Sequence, residues 1–365
     1  MNAFVIETER LVSNIAQILR RAGERKVYAV VKGDGYGFGL VPYAKLLCDN
    51  GVSALAVTEP EEVSALRTAG LSDVEILMLR STALPDEVEA LLRNRAVLTI
   101  GSHDAAVAVN GIAGKLGLRA QVHIKIDTGM GRYGFEPGEI EKITAIFQYM
   151  EHIDVRGIYT HLNAAFGKKT RTLTQIAVFR GVVDALRAQG FEPGLVHFAN
   201  SSAFYKLDGI DLGDAVRIGS AFTGRLAFSC KNELARIGFL ESRICEVRWL
   251  SRGATVGYGG VYRARSPRRI AIVPLGYSHG FAVEKVRDSY RFRDGVRFML
   301  QDMKRTLLHE RLSGTVNGKS ARVLGHVGML HTVLDVTDIP CQVGDRVQFS
   351  ASPLYVDARV CREYR

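Results

Sequence analysis

The stretch VYAVVKGDGYGFGL, residues 27–40, sets five apolar residues, Val27–Val31, directly against Lys32 and a loop in which glycine recurs at 33, 35, 37 and 39. A short β-branched run bounded by glycine reads as a buried strand. Seven more runs of this kind follow: Ala54–Val57, Val74–Leu79, Ala96–Ile100, Ala120–Ile126, Val155–Thr160, Leu195–Ala199 and Asp214–Ile218. Helix-like stretches separate them. In EPEEVSALRTAG, Pro60 and its neighbouring glutamates open the segment and Gly70 closes it, which are helix boundary signals. Strands alternating with helices imply a parallel sheet. Eight such units in the first 220 residues predict an α/β fold built on a (β/α)8 TIM barrel. An open, doubly wound sheet is the competing arrangement of the same pattern.

Beyond about residue 230 the rhythm changes. Segments such as GFLESRICEVRWL, RRIAIVPLG, GHVGMLHTVLDVT and GDRVQFSA alternate, are rich in β-branched residues and are punctuated by glycine. The reading is a barrel over residues 1–230 and a mostly-β C-terminal domain over 231–365, with a basic insertion at about 281–311. Within that insertion Val296, Leu300, Met303 and Leu307 fall on one helical face.

Composition narrows the class. Of the 365 residues, 47% are hydrophobic and only one is Trp, so there is material for a substantial core. No apolar run is long enough to span a bilayer. The opening MNAFVIETER lacks the basic start and apolar block of a signal peptide, so the expected location is cytoplasmic, with no membrane partner. The basic segment 281–311 lacks aromatic interleaving beyond Tyr290, Phe292 and Phe298, so nucleic acid is not an expected partner either. The five cysteines show no CxxC spacing, and neither a disulfide framework nor a metal site is expected. The net charge of +10 suits a solvated basic surface or an anionic ligand.

A barrel carries its chemistry where its strands end. Lys32 and Tyr36 follow the first strand, and the fifth carries Lys125 and runs into Asp127 and Arg132. His161 and Asn163 end the sixth. His197, Asn200, Ser201 and Ser202 accompany the seventh, and Arg217, Gly219 and Ser220 the eighth. The glycine loop is neither the GxGxxG of a dinucleotide fold nor a Walker loop. An amine, a phenol, hydroxyls and backbone N–H groups are together the parts that hold a phosphorylated aldehyde.

AVVKGDGYGFG resembles the cofactor-lysine motif of the alanine racemase family. The resemblance continues, in family order and over nearly the whole chain, through VHIKIDTGMGRYGF, YTHLNAAF, HFANSSAF, AVRIGSAFTG, TVGYGGVYRA, VPLGYSHGF and ARVCREYR. It implies a pyridoxal 5'-phosphate-dependent racemase that interconverts L- and D-alanine, a small amino-acid substrate, as a homodimer with shared active sites. Lys32 would be the Schiff-base lysine and one catalytic base; Tyr258, from the partner subunit, would be the other. Arg217 would face the pyridine nitrogen and His161 support the ring. Tyr36, Asn200, Ser201, Gly219, Ser220 and Tyr364 would hold the phosphate. Arg132 would reach the phenolic oxygen and, with Met329 and Tyr277, lie near the substrate. Lys125 would be the residue carried in this family as a carbamate. Two bases are needed because racemisation removes a proton from one face of a flat carbanion and returns one to the other. The chain departs from the family at Gly328 and Leu330, where a thiol and a carboxylate are usual, and at His279, Ser220 and Thr223. A serine or broad-specificity racemase is therefore an alternative. A pyridoxal-phosphate carrier or regulator without turnover is another, against which Tyr258 speaks.

Overall fold

The computed structural model describes residues 2–228, 234–287, 291–307 and 311–365. Its eight parallel strands are Lys26–Val30, Ala54–Val57, Glu75–Ser81, Val97–Ile100, Ala120–Ile126, Ile153–Thr160, Leu195–Asn200 and Ala215–Ile218, and they pair in chain order. The eighth returns to the first, with Tyr28 opposite Arg217, so the sheet is closed and the open alternative is excluded. Apolar residues of these strands are buried on both faces, as a parallel sheet wrapped by helices requires. Inside, Tyr28 and Val30 pack with Ala54, Ala56, Leu77, Val97 and Ala215. Alanines at the facing positions leave the room that Tyr28 fills. The helices between strands follow their sequence cues: Pro60–Thr68 has Pro in its first turn and buries Val63 and Leu66.

The chain falls into two compact units, one of Glu9–Ile237 and one of the residues up to Thr8 with Gly238–Arg365. The second is mostly β. Its six-stranded sheet runs Lys319–Arg322, Ser313–Val316, Arg346–Phe349, Phe239–Arg243, Ala3–Ile6, Cys361–Tyr364; a three-stranded sheet runs Glu246–Leu250, Arg268–Val273, Thr332–Asp335. The boundary read from sequence put residues 1–8 with the barrel. The structure gives Ala3–Ile6 to the β unit instead, antiparallel to Phe239–Arg243 and parallel to Cys361–Tyr364. All four of its residues are buried, and a strand with no polar face needs partners on both edges and cover on both sides. The amphipathic segment of the insertion forms the helix Phe292–Leu307. Residues 288–290 and 308–310 of that insertion lie outside the described residues. No helix among the described residues is long and apolar enough to cross a membrane.

Candidate active site

The loop after the first barrel strand turns in the left-handed region. Gly33, Asp34, Gly35 and Tyr36 have φ of 63°, 53°, 62° and 57°. Such backbone suits glycine and is costly for Asp34 and Tyr36. Two anchors hold it: Asp34 Oδ1 accepts from the Leu40 N–H at 2.8 Å, and Glu62 Oε1 accepts from the Gly33 N–H at 2.8 Å. The other oxygen of Glu62 accepts from Thr58 N–H at 3.0 Å, so this carboxylate ties the first loop to the end of the second strand. The turn brings Lys32 and Tyr36 to one cavity. A Cβ at residue 219 would fall on the Tyr36 hydroxyl, so the approach of that phenol demands Gly219.

The cavity measures about 470 Å³ and all its lining residues belong to the barrel unit. It gathers Lys32, Tyr36, Arg132, His161 and Arg217 with Lys125, and the hydroxyl- and amide-bearing ends of the last two strands, Asn200, Ser201, Gly219 and Ser220. Ser201 Oγ accepts from the N–H of Gly219 at 3.0 Å, and Asn200 Oδ1 from that of Ala203 at 3.0 Å; both side chains shape the turns they line.

Arg217 is buried. It donates through Nη1 to His197 Nδ1 at 2.7 Å and through Nη2 to the Thr160 carbonyl at 2.7 Å. An ion pair with Asp214 does not form; that carboxylate accepts from the Val196 N–H. Since an arginine only donates, His197 Nδ1 must accept, and its proton sits on Nε2, facing His123 Nδ1 at 2.9 Å. Burial keeps both rings neutral, His123 pushed down to about 3 and His197 well below its ordinary value. His197 thus stands behind the rim rather than on it. Burial also brings Arg217 down to about 10, and burial with the surrounding cations takes His161 to about 3.

The two lysines share this pressure. Burial, then Arg132, lowers Lys32, with Glu62 opposing. Burial, then Arg132 and Arg217, lowers Lys125 to about 8. Lys125 donates to the Tyr133 carbonyl at 2.9 Å. Asp127 does not ion-pair with it: its two oxygens accept from the N–H groups of Gly129, Met130, Gly131 and Arg132 at 2.6–3.0 Å and so brace the loop that presents Arg132. Among the lining residues five are cationic, Lys32, Arg80, Lys125, Arg132 and Arg217, and one is acidic, Glu59. Glu59 is already bound to Arg80 at 3.1 Å. The excess fits an anionic ligand.

Sequence reasoning passed over Tyr159, Tyr133 and Glu62, while Glu59 and Arg80, which stand out at the otherwise bland ends of the second to fourth strands, do line the cavity. Tyr159 was within reach: it lies two residues before His161, and alternate residues share a face; Arg217 now sits 4.7 Å over its ring. Glu62 carried no such signal, because its role depends on a loop brought to it by barrel closure.

The remaining sequence candidates lie in the β unit and not among the cavity's lining residues. Tyr258 is 84% exposed in a turn with Gly257, Gly259 and Gly260 at positive φ. Tyr277 and Met329 are exposed neighbours on two clamped loops. Tyr277 N–H donates to Gly328 O at 3.1 Å, and Ser278 donates to Met329 O through both N–H and Oγ, at 3.1 and 2.8 Å. Tyr364 is half-buried, on the edge strand beside Ile6.

Residues 6–226 match the family model "Alanine racemase, N-terminal domain" and residues 238–358 match "Alanine racemase, C-terminal domain". The alanine racemase of Desulforamulus reducens is 34% identical over 342 residues, covering 92% of this chain and 85% of that protein. That of Halothermothrix orenii is 32% identical over 350 residues, covering 94% and 85%. Among solved structures, the alanine racemase of Clostridium difficile 630 superposes with a TM-score of 0.82 at 28% identity, over 99% of this chain and 88% of that one. With both halves of the chain matched and the barrel site built where the family motifs fall, the chain belongs to the alanine racemase family.

Proposed function

We propose that this protein interconverts L- and D-alanine with pyridoxal 5'-phosphate, in a homodimer whose sites draw residues from both subunits. The observation that carries the reading is Lys32: a half-buried amine, its proton made labile by burial and by Arg132, in a cavity of surplus positive charge. The chemistry of this donor set fits the cofactor. The Lys32 amine offers the covalent attachment, cations and hydroxyls suit a phosphate and a phenolate, and a glycine leaves space beside Tyr36. Bound there, the cofactor supplies the electron-withdrawing system that acidifies the substrate's Cα–H. Tyr36, Asn200, Ser201, Gly219 and Ser220, with Tyr364, are assigned to the phosphate. Arg217 is assigned to the ring nitrogen; holding its own proton, it would leave that nitrogen unprotonated. Arg132 is assigned to the phenolic oxygen and the substrate carboxylate, and Met329 and Tyr277 are assigned to the substrate. His161, held neutral by burial and the surrounding cations, is assigned to support the ring.

Lys32 is assigned the proton on one face of Cα and Tyr258 of the partner's β unit the proton on the other. Tyr258 stands in water in the single chain, and a residue so placed needs a second surface before it can serve as base. Lys125 is assigned as a carbamate. An amine lowered to about 8 is neutral in roughly one molecule in ten at pH 7, against fewer than about one in a thousand for an ordinary lysine, and only the neutral amine adds carbon dioxide. The anion formed would pair with Arg132.

The test is a panel of L-amino acids incubated with purified, cofactor-loaded protein and resolved by chiral chromatography. D-alanine should accumulate fastest. Faster D-serine would favour the alternative suggested by Gly328 and Leu330. Bound cofactor with no D-product from any substrate would leave a carrier and sink the enzymatic reading.

A further inference from the structure

The helix Phe292–Leu307 plays no part in the site described above. None of its described side chains is buried. At 3.6 residues per turn, Met299, Phe292, Met303, Val296, Leu307 and Leu300 follow one another round an arc of about 100°. Phe292 is 86% exposed, Leu307 72%, Met299 and Leu300 56% each and Met303 51%. Next round the helix from Leu300 come Arg293, Lys304 and Arg297, all exposed. The other border is Thr306, Gly295 and Asp302, the last neutralised by Arg287 at 2.6–2.7 Å. The helix therefore carries a continuous apolar stripe with a cationic border on one side.

A 16-residue helix standing alone in water is marginal, and most helical stability comes from covering the apolar face. Three occupants compete. In an antiparallel pair with a second copy, the two-fold axis lies across the helices in the contact plane and sets each border against its own copy. Arg293, Arg297 and Lys304 would then face the same three cations. A nucleic acid would meet the cations but leave the apolar stripe uncovered. An anionic lipid surface satisfies both features. Phenylalanine, leucine and methionine side chains enter the acyl boundary, and the basic border reaches its charges out along flexible stems to the phosphates.

We propose that Phe292–Leu307 is an interfacial helix that docks this protein peripherally on an anionic phospholipid surface. The expectation of no membrane partner rested on the lack of an apolar run long enough to span, and a helix lying in the interface needs none. The docking is independent of the reaction assigned to the barrel.

The test is sedimentation of the full-length protein with vesicles of phosphatidylcholine alone or mixed with phosphatidylglycerol at roughly one part in three. Binding is expected to the mixed vesicles only, and to weaken as salt screens the surface. The double variant Leu300→Glu, Met303→Glu and, separately, Arg293→Glu, Arg297→Glu should each cut the bound fraction by roughly tenfold. All four residues are exposed, so folding is expected to survive, which circular dichroism of the free protein checks. Failure to bind mixed vesicles, or binding that neither variant weakens, overturns the proposal. So does a fall in oligomer size caused by the stripe variant without vesicles, since a second copy would then be the occupant.

Discussion

Lys125 shows how far one residue can shape the behaviour of the site. Its amine titrates near 8 in the folded chain against 10.5 when free. Below about pH 8 both states are protonated and the folded chain bears the full cost of the buried charge. Between the two values the unfolded chain holds more protons, so stability rises with pH. In bicarbonate-free buffer, Lys125→Met should therefore stabilise the apo-protein at pH 7 by on the order of 2 kcal/mol, after allowing for the lost bond to the Tyr133 carbonyl. The gain should vanish as pH approaches 10.5, and urea titrations across that range read it directly. If the carbamate forms, bicarbonate should raise the melting temperature of the parent protein and leave Lys125→Met unmoved. Gly219 gives a second prediction. In Gly219→Ala the new methyl lands on the Tyr36 hydroxyl, so the phenol or the strand end must shift, at a cost of about 1–3 kcal/mol. Cofactor affinity, followed by absorbance on titration, should fall with stability; unchanged affinity would detach Tyr36 and Gly219 from the phosphate.

Between elements, the structure uses a few polar side chains as clamps. Ser278 holds the loop of Met329 to that of Tyr277 with a hydroxyl bond of 2.8 Å, and His279 Nδ1 accepts from Gly276 N–H at 3.1 Å to close the same turn. Gly276 has to be glycine because a Cβ would strike the carbonyl of Gly328. Ser278→Ala should cost about 1 kcal/mol of stability. If Tyr277 and Met329 border the substrate, it should also raise KM for alanine several-fold while kcat moves little, because the remaining backbone bonds keep the loop in outline. A loss of kcat at unchanged KM would place Ser278 elsewhere in the mechanism. The helices and strands themselves were largely legible. Ala120–Ile126 and Ala54–Val57 were read with the ends observed, since a short apolar run flanked by polar residues is a local signal. The strand Ala3–Ile6 was not read at all. Four residues before a helix say nothing about the sheet 230 residues away that will take them.

For the whole molecule the test is subunit complementation. Lys32→Ala and Tyr258→Phe proteins should each be nearly inactive. After exchange of subunits, a hybrid dimer would pair one doubly damaged site with one intact site, so a mixture should recover up to about a quarter of parent activity if exchange is random and each site works alone. Demonstrated exchange without recovery would mean that each site is built from one chain. Tyr258→Phe should also lose proton exchange at one enantiomer of alanine in deuterated water by at least ~10²-fold, the usual scale of a general base, while Lys32 continues to exchange the other.

The apolar rhythm of the strands and the order of the motifs determined the barrel, the change to β structure after it and the rim on which Lys32, Lys125, His161, Asn200 and Arg217 sit. These are local properties, written in periodicity and in residues adjacent to strand ends. Tertiary structure alone decided that Glu62 braces the loop that follows Lys32, that His197 and His123 form a neutral file behind Arg217, that Asp127 is spent on backbone N–H groups and leaves Lys125 without an ion pair, and that Ala3–Ile6 belongs to the sheet of the β unit. Each of those depends on which distant groups meet when the barrel closes and on how much water is excluded there, and neither distance nor desolvation is a property of neighbours along the chain.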